Sequence, residues 1–414
     1  MAGQRGDSNH EARAYKSYRE GTHRTVSPTE TLARAGRFMA DLGITRIANV
    51  TGLDRIGIPV VMVCRPNSRS VAVSQGKGLD LDSAKASGLM EAVETYHAEH
   101  ITLPLAYGGS RELGATHPLV DLSGLPVVVG SRFHDHFPML WIEGEDLIRR
   151  SPVWLPYEMV HANYTLPFPP GSGCFTASTN GLASGNHRLE AISHGICEVV
   201  ERDAISLWNQ KDKERRRATG LDLESVDDPA CREILERYAR AGIDVKVWDM
   251  TTDTAIASFY CLIVDREDPS SHAADGAGCH LAREVALLRA LTEAAQVRTT
   301  FIAGSREDLP LGDYAHSARS KKLQDFRTLM DWHAPVRSFH QVPTVEAETF
   351  ADDVAAALGR LRSVGIKQVA VVDLTKPEYE LPVVRVVIPG LEGPDGHAGY
   401  VRGPRATAVL EGRA

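Results

Sequence analysis

Asn180-Gly-Leu-Ala-Ser-Gly185-Asn186 runs directly into Glu190-Ala-Ile-Ser-His194-Gly-Ile-Cys-Glu198-Val-Val-Glu201-Arg202-Asp203, and this stretch decides the reading of the chain. Residues at i, i+4, i+7 and i+11 share one face of a helix, because each residue turns the chain by about 100°. Glu190, His194 and Glu201 therefore form one stripe on a helix otherwise rich in Ala, Ile, Val and Cys. The pattern occurs twice more. Ser87, Glu91 and Glu94 form a stripe in Ser87-Gly-Leu-Met-Glu91-Ala-Val-Glu94, and Arg289, Glu293 and Gln296 form one in Arg289-Ala-Leu-Thr-Glu293-Ala-Ala-Gln296. With small and apolar residues filling much of the rest, these acids are expected to face inward. An unpaired buried carboxylate is costly, so several of them need a cation, and hard oxygen donors suit Mg2+.

Each stripe is preceded by glycines: Gly76-Lys77-Gly78, the Gly181-to-Gly185 segment, and Gly276-Ala-Gly278. Glycine-rich turns let backbone N–H groups approach phosphate, and helix N-termini add a favourable dipole. Together these features point to a nucleotide–Mg2+ site. The chain contains no G-x-x-x-x-G-K-[ST], kinase set or dinucleotide fingerprint, so phosphate would be bound in another way.

The 414 residues carry a net charge of -8, which opposes a general nucleic-acid binder. Apolar runs stop well short of the roughly 20 residues that span a bilayer, and the polar start lacks a signal-peptide core. A cytoplasmic enzyme is the expectation. None of the six cysteines forms a C-x-x-C pair, and most sit in apolar runs as small hydrophobes. Cys174 and Cys279 are the exceptions, because both lie beside glycine-rich segments close to the acidic helices. His134-Asp-His136 reads as a surface loop, while His97 and His100 suit the end of the first acidic helix.

A Ser27-Pro28 start predicts a helix to about Leu42, followed by short strands at 44–50, 59–65 and 71–74. A hairpin is expected over 139–160, paired strands over 242–249 and 258–265, and closing strands over 368–374 and 383–388 before an irregular tail. The elements interleave without a linker. The expected organisation is a flexible terminus over 1–15, one catalytic domain with interleaved subdomains over 16–405, and a tail over 406–414.

These segments resemble the YcaO family. The matching pieces are Gly76-Lys77-Gly78 into Ser87/Glu91/Glu94, Asn180-to-Asn186 into Glu190-to-Ala204, and Gly276-x-Gly-x-His280 into Arg289/Glu293/Gln296. The resemblance implies an α+β fold, with interwoven subdomains of mixed and antiparallel sheets packed with helices around a central ATP site. It implies ATP- and Mg2+-dependent phosphorylation of a peptide backbone amide. Glu94, Glu190 and Glu201 would hold magnesium, with Glu91, Glu198 and Glu293 completing the acidic cluster. Ser87, Asn186, Arg289 and Gln296 would contact the nucleotide, and Glu198 would lie beside it. Arg202 would pair with phosphate or lock Glu198, and Lys16 and Arg24 would be phosphate ligands.

Azoline-forming members of the family tend to end in a proline-rich tail, and Gly403-Pro404-Arg405 to Ala414 departs from that pattern. The opening Lys16-x-Tyr-Arg-x-Gly-Thr-His-Arg24 and the late Ile388-Pro-Gly390-Leu-Glu look like stand-alone members that work with a TfuA partner. For those the implied product is a thioamide, with sulfur supplied through a TfuA-like protein to a peptide or protein substrate. His194 or His280 becomes the candidate base. A homodimer without membrane or nucleic-acid partners is expected. Azoline or amidine formation and a non-catalytic ATP-binding peptide scaffold are the alternatives.

Overall fold

The computed structural model describes residues 13–267, 273–309, 311–330, 337–396 and 399–413. Its strands are β1 (Arg46–Asn49), β2 (Val60–Cys64), β3 (Val73–Lys77), β4 (Leu105–Gly108), β5 (Met139–Asp146), β6 (Ser151–Pro156) and β7 (Leu182–Ser184). They continue as β8 (Leu221–Asp222), β9 (Ile243–Asp249), β10 (Ala257–Asp265), β11 (Ala274–His280), β12 (Arg337–Ser338), β13 (Ala370–Asp373) and β14 (Val383–Val387). The helices are α1 (Pro28–Gly36), α2 (Leu81–Glu99), α3 (Ser110–Leu113), α4 (Arg188–Gln210), α5 (Lys213–Arg217) and α6 (Pro229–Arg240). They end with α7 (Arg283–Ala303), α8 (His316–Met330), α9 (Phe350–Ser363) and α10 (Pro404–Leu410). The chain divides into two compact units. One comprises residues up to Lys16, Val93–Gln210 and Ala347 onward; the other comprises Ser17–Ala92 and Lys211–Glu346.

In the second unit, β1, β2 and β3 form an antiparallel sheet, and β9, β10 and β11 form another. Strand β2 reads Val-Val-Met-Val-Cys and is buried on both faces. Helix α7 lies on β11 and β10, and α6 packs against α7 and β9. Helix α6 begins at Pro229 behind the Asp228 cap, whose side chain accepts from Cys231 N–H. It buries Cys231, Ile234 and Tyr238, spaced for one helical face. Arg298 of α7 donates to Asp54 at 2.9 Å and to Asp265 at 3.1 Å, and Arg55 joins Asp265 at 2.8 Å.

The glycine segments depart from the sequence reading. Gly76 belongs to β3, and Gly276 and Gly278 belong to β11, so these are strand residues and not phosphate loops. A Cβ on Gly76 would overlap the backbone of Ala84 and Gly88 in α2; one on Gly278 would overlap Ala286 O and come within 2.6 Å of Ala290 N. Glycine is needed because a helix backbone lies directly against the strand. In the third segment, Gly181 adopts φ +80° and a Cβ there would overlap Val386 O. The strand β7 follows at once.

The first unit centres on a six-stranded sheet in the order β4-β5-β13-β14-β7, with β6 paired to β5. All these pairings are antiparallel. Helix α4 covers β14 and β7, and α9 and α10 pack on α4. The stretch expected as an irregular tail instead forms α10, with Ala406 and Val409 buried against Leu207. Two acids hold it. Asp203 accepts from Arg405 Nε and Nη2, both at 3.0 Å, and from Glu392 N–H at 2.9 Å. Glu392 accepts from Tyr400 O–H at 2.9 Å, Gly403 N–H at 2.9 Å and Ala406 N–H at 2.8 Å.

His134 and His136 are exposed, as a surface loop requires, whereas His97 is fully buried and bonds Val93 O within α2. All six cysteines are free, and only Cys64 is not buried. Burial, reinforced by Glu158, pushes the Cys174 thiol up, which suits an inert core residue.

Two consequences can be measured. Gly278→Ala should lower the unfolding free energy by about 1–3 kcal/mol through overpacking. Gly359→Ala, in α9 with nothing within 4 Å of the new methyl, should raise it by up to about 1 kcal/mol. Chemical denaturation of both variants checks the contrast. Burial first and Arg385 second lower the pKa of His161 to about 4. The unfolded chain takes this proton near 6.5 while the folded chain resists it, so stability should fall as pH drops from 6.5 towards 4. The slope is at most about 1.4 kcal/mol per pH unit, and His161→Gln should flatten it in denaturation curves across that window.

Candidate functional site

Within the second unit, β3 gathers the side chains of α2 and α7. Gln75 N–H donates to Glu91 at 3.3 Å, while Lys77 Nζ pairs with Glu293 Oε2 at 2.8 Å. Ala277 N–H of β11 reaches the other oxygen of Glu293 at 3.4 Å. Gln296 Nε2 donates to Gln75 Oε1 at 3.3 Å, and Thr300 O–H donates to the same oxygen at 2.6 Å. Burial raises the pKa of Glu91; Arg306 and Lys77 oppose that rise and Glu293 adds to it. Glu91, Glu293 and Gln296 are thus brought together. Arg289 lies half-buried on the same helix, and Ser87 is exposed.

His280 sits at the end of β11, where its Nδ1 accepts from Ala282 N–H at 2.9 Å and helps start α7. The His23 ring meets it edge-on at 5.0 Å. Arg24 donates to the carbonyl of its neighbour His23 at 2.9 Å.

Within the first unit, α4 carries the largest acidic set. Glu190 and Glu201 are 2% and 4% exposed, eleven residues apart and so on one face after three turns. Arg202 Nη2 lies 3.6 Å from Glu201 Oε1. Glu198 accepts from Gly181 N–H at 3.3 Å, fixing the segment ahead of β7. Glu94, at the far end of α2, accepts from Ser184 N–H at 2.8 Å and Ser184 O–H at 2.7 Å. Asn186 and His194 are half-buried at the start and middle of this assembly. Lys16 forms a buried ion pair with Asp353 at 2.8 Å.

The uniform inward orientation expected of the stripes is corrected. Glu190 and Glu201 are buried, Glu91, Glu94, Glu198 and Glu293 are half-buried, and Ser87 faces solvent. On α2 and α7 the stripes are the more open sides of helices whose other sides are packed, because charge is retained best where donors and solvent can both reach it, whereas on α4 Glu190 and Glu201 are buried. Sequence reading missed Gln75, Ser184 and Arg385. Arg385 had a signal, a lone charge inside Val-Val-Arg-Val-Val. Gln75 and Ser184 had none, since their partners lie sixteen or more residues away.

Buried carboxylates with hard oxygen donors, on one face of one helix, suit a divalent cation such as Mg2+. No described helix is long and apolar enough to cross a membrane.

The sequence pattern of the family described as YcaO cyclodehydratase, ATP- and Mg2+-binding, matches residues 75–392. An uncharacterized protein in the tfuA 3' region of Rhizobium leguminosarum bv. trifolii is 37% identical over 401 residues, covering 94% of this chain and 93% of its own. The YcaO structure from Methanopyrus kandleri bound with AMPPCP and Mg2+ has the same fold, with a TM-score of 0.72 at 23% identity over 92% of this chain and 95% of that one. A heterocyclase in complex with substrate and cofactor gives 0.76 at 24% identity over 92% of this chain, which spans 54% of that larger chain. The expected α+β architecture of helices and antiparallel sheets stands. The chain belongs to the YcaO family, and its cofactors are ATP and Mg2+.

Proposed function

We propose that this protein uses ATP to activate a peptide backbone amide and replaces the amide oxygen with sulfur, in the cytoplasm, as a homodimer working with a TfuA-like partner. The observation that carries the chemistry is the acidic face of α4, with Glu190 and Glu201 buried on it and Glu94 oriented by Ser184 in the same unit. The tfuA-region relative, similar over nearly its whole length, supports the sulfur product over ring closure.

In this reading Glu94, Glu190 and Glu201 would hold Mg2+, which would supply charge neutralisation for phosphoryl transfer. Asn186 and Glu198 flank the nucleotide from the same unit. Arg202 steadies Glu201 and is placed to meet phosphate. The amide oxygen takes the γ-phosphoryl group of ATP, hydrosulfide adds to the carbonyl carbon, and phosphate leaves with the former amide oxygen. The balance is amide, ATP and HS- giving thioamide, ADP and HPO4 2-. The proton of hydrosulfide ends on phosphate, so a base must carry it. His194, on the acidic face of α4, and His280 are the residues assigned to that transfer. The Nδ1 of His280 is engaged by Ala282 N–H, which fixes the ring.

Glu201→Gln should abolish Mg2+-ATP binding in calorimetric titration, while the thermal midpoint stays level or rises because like-charge repulsion is relieved. Unchanged nucleotide affinity would overturn the metal assignment. Incubation of a candidate peptide with the protein, ATP, Mg2+ and sulfide, with and without a TfuA-like partner, should add about 16 Da by oxygen-to-sulfur exchange, the mass arithmetic of the proposed reaction. A loss of about 18 Da would mean internal ring closure instead. In that assay the true base should lose turnover as its alanine variant, and full activity of His280→Ala would leave His194.

A further inference from the structure

Arg385 occupies the middle of β14, a strand whose five residues are all buried. It pairs with Leu182 on β7 and with Val372 on β13, so neighbours flank it on both sides. The side chain is 1% exposed, and its Nη2 donates to Ser178 O at 2.6 Å. Among the described residues its Nε and Nη1 have no hydrogen-bond partner. Arg385 forms no ion pair among the described residues; Glu198 and Tyr164 exert only a longer-range pull on its charge. An arginine placed this way is expensive, because a buried cation without a counter-charge loses several kcal/mol of hydration.

Arg385 lines a cavity of about 20 Å3 together with Thr176, Ser178, Asn180 and Glu392. Such a space holds a water-sized or slightly larger group. Asn180 adds a second unmet need: its Oδ1 is buried and accepts nothing. Glu392 brings negative charge to the wall, but its oxygens are held by Tyr400 O–H, Gly403 N–H and Ala406 N–H. The site therefore presents two unused donor nitrogens on a cation and one unused acceptor. Its best complement is a small anion with one hydrogen to give. Halides lack the hydrogen, and water lacks the charge. The adjacent Gly181 N–H is bound by Glu198, which ties the cavity wall to the acidic face of α4.

We propose that the cavity at Arg385 binds hydrosulfide, accepting N–H donors at sulfur and giving its S–H to Asn180 Oδ1. The proposal rests on the sulfur-for-oxygen reading above and names where the nucleophile of that reaction is held. The guanidinium would favour the anion over neutral hydrogen sulfide, which keeps the nucleophilic form bound. Desolvation in so small a cavity would exclude larger thiolates.

Hydroselenide, with the same charge and one hydrogen, is the direct probe. Crystals of the protein soaked anaerobically in sodium hydroselenide should show an anomalous selenium peak within hydrogen-bond distance of Arg385 and Asn180. Water density alone at saturating hydroselenide would overturn the site, and an equal peak from sodium bromide would overturn the choice of a one-hydrogen anion. In solution, sodium hydrosulfide should raise the thermal midpoint beyond matched sodium chloride, and Arg385→Gln should remove that difference. If that variant does not fold, Asn180→Leu keeps the guanidinium and should weaken hydrosulfide about tenfold while sparing bromide, one lost hydrogen bond being of that order. A shift as large as the wild-type one in either variant refutes the assignment. Binding is read without turnover, so a failed site and a failed mass shift are separate results.

Discussion

How closely a helix can lie on the strand before it controls this structure. Gly76 lets α2 rest on β3, and Gly276 and Gly278 let α7 rest on β11, at a distance that a single methyl would forbid, and Gly88 of α2 adds a tight contact of its own. Only at that distance can a helix carboxylate reach back to a strand amide. Gln75 N–H meets Glu91, and Ala277 N–H meets Glu293, at the same separation of sixteen residues. Gly181 N–H and Glu198 repeat the device in the first unit at seventeen. The glycines therefore serve the acids by geometry.

The acids fall into two physical groups. Glu158, Asp203 and Glu392 are structural: each is buried and takes three donors from the protein. Glu158 takes the N–H groups of Gly173, Cys174 and Phe175; the other two hold the C-terminal helix. A carboxylate so supplied is satisfied without any ion. The helix stripes are different, since they gather several carboxylates on α2, α4 and α7. At Glu91 burial is the main cause of the raised pKa, and the nearby charge of Glu293 adds a smaller push in the same direction. Clustering of this kind is tolerable where a divalent cation and a nucleotide's own charges complete the set.

Much of this was legible beforehand because it is periodic. The three helices, the β9–β10 pair and the closing strands β13 and β14 follow from apolar spacing that local steric rules translate directly. Glu190 and Glu201 were readable as one face for the same reason. Long-range partners were not readable. Nothing in Leu-Pro-Tyr-Glu158 announces three backbone donors beyond it, and nothing in the last residues announces that Asp203 will grip Arg405. The expected irregular tail failed on this point: α10 is too short to persist alone and owes its helix to tertiary contacts. The glycine segments failed differently. Glycine before a helix signals either a turn or a close approach, and only the strand register separates the two.

Arg385 shows why a violation of pattern is worth more than agreement with it. Strand β14 lies between β13 and β7 under α4, where every local preference favours an apolar residue. A leucine there would satisfy the pattern without stranding two donor nitrogens, and buried ion-forming groups are often replaceable by apolar ones without loss of stability. Stability therefore does not explain the arginine. A sequence that is locally consistent elsewhere in the sheet and breaks its own rule at one point is expected to do so where something must be bound. The orphaned oxygen of Asn180 across the same small cavity is the second break, and the two are complementary in hydrogen-bonding sense. One break is a defect of packing; two that match describe the shape, charge and proton count of a ligand.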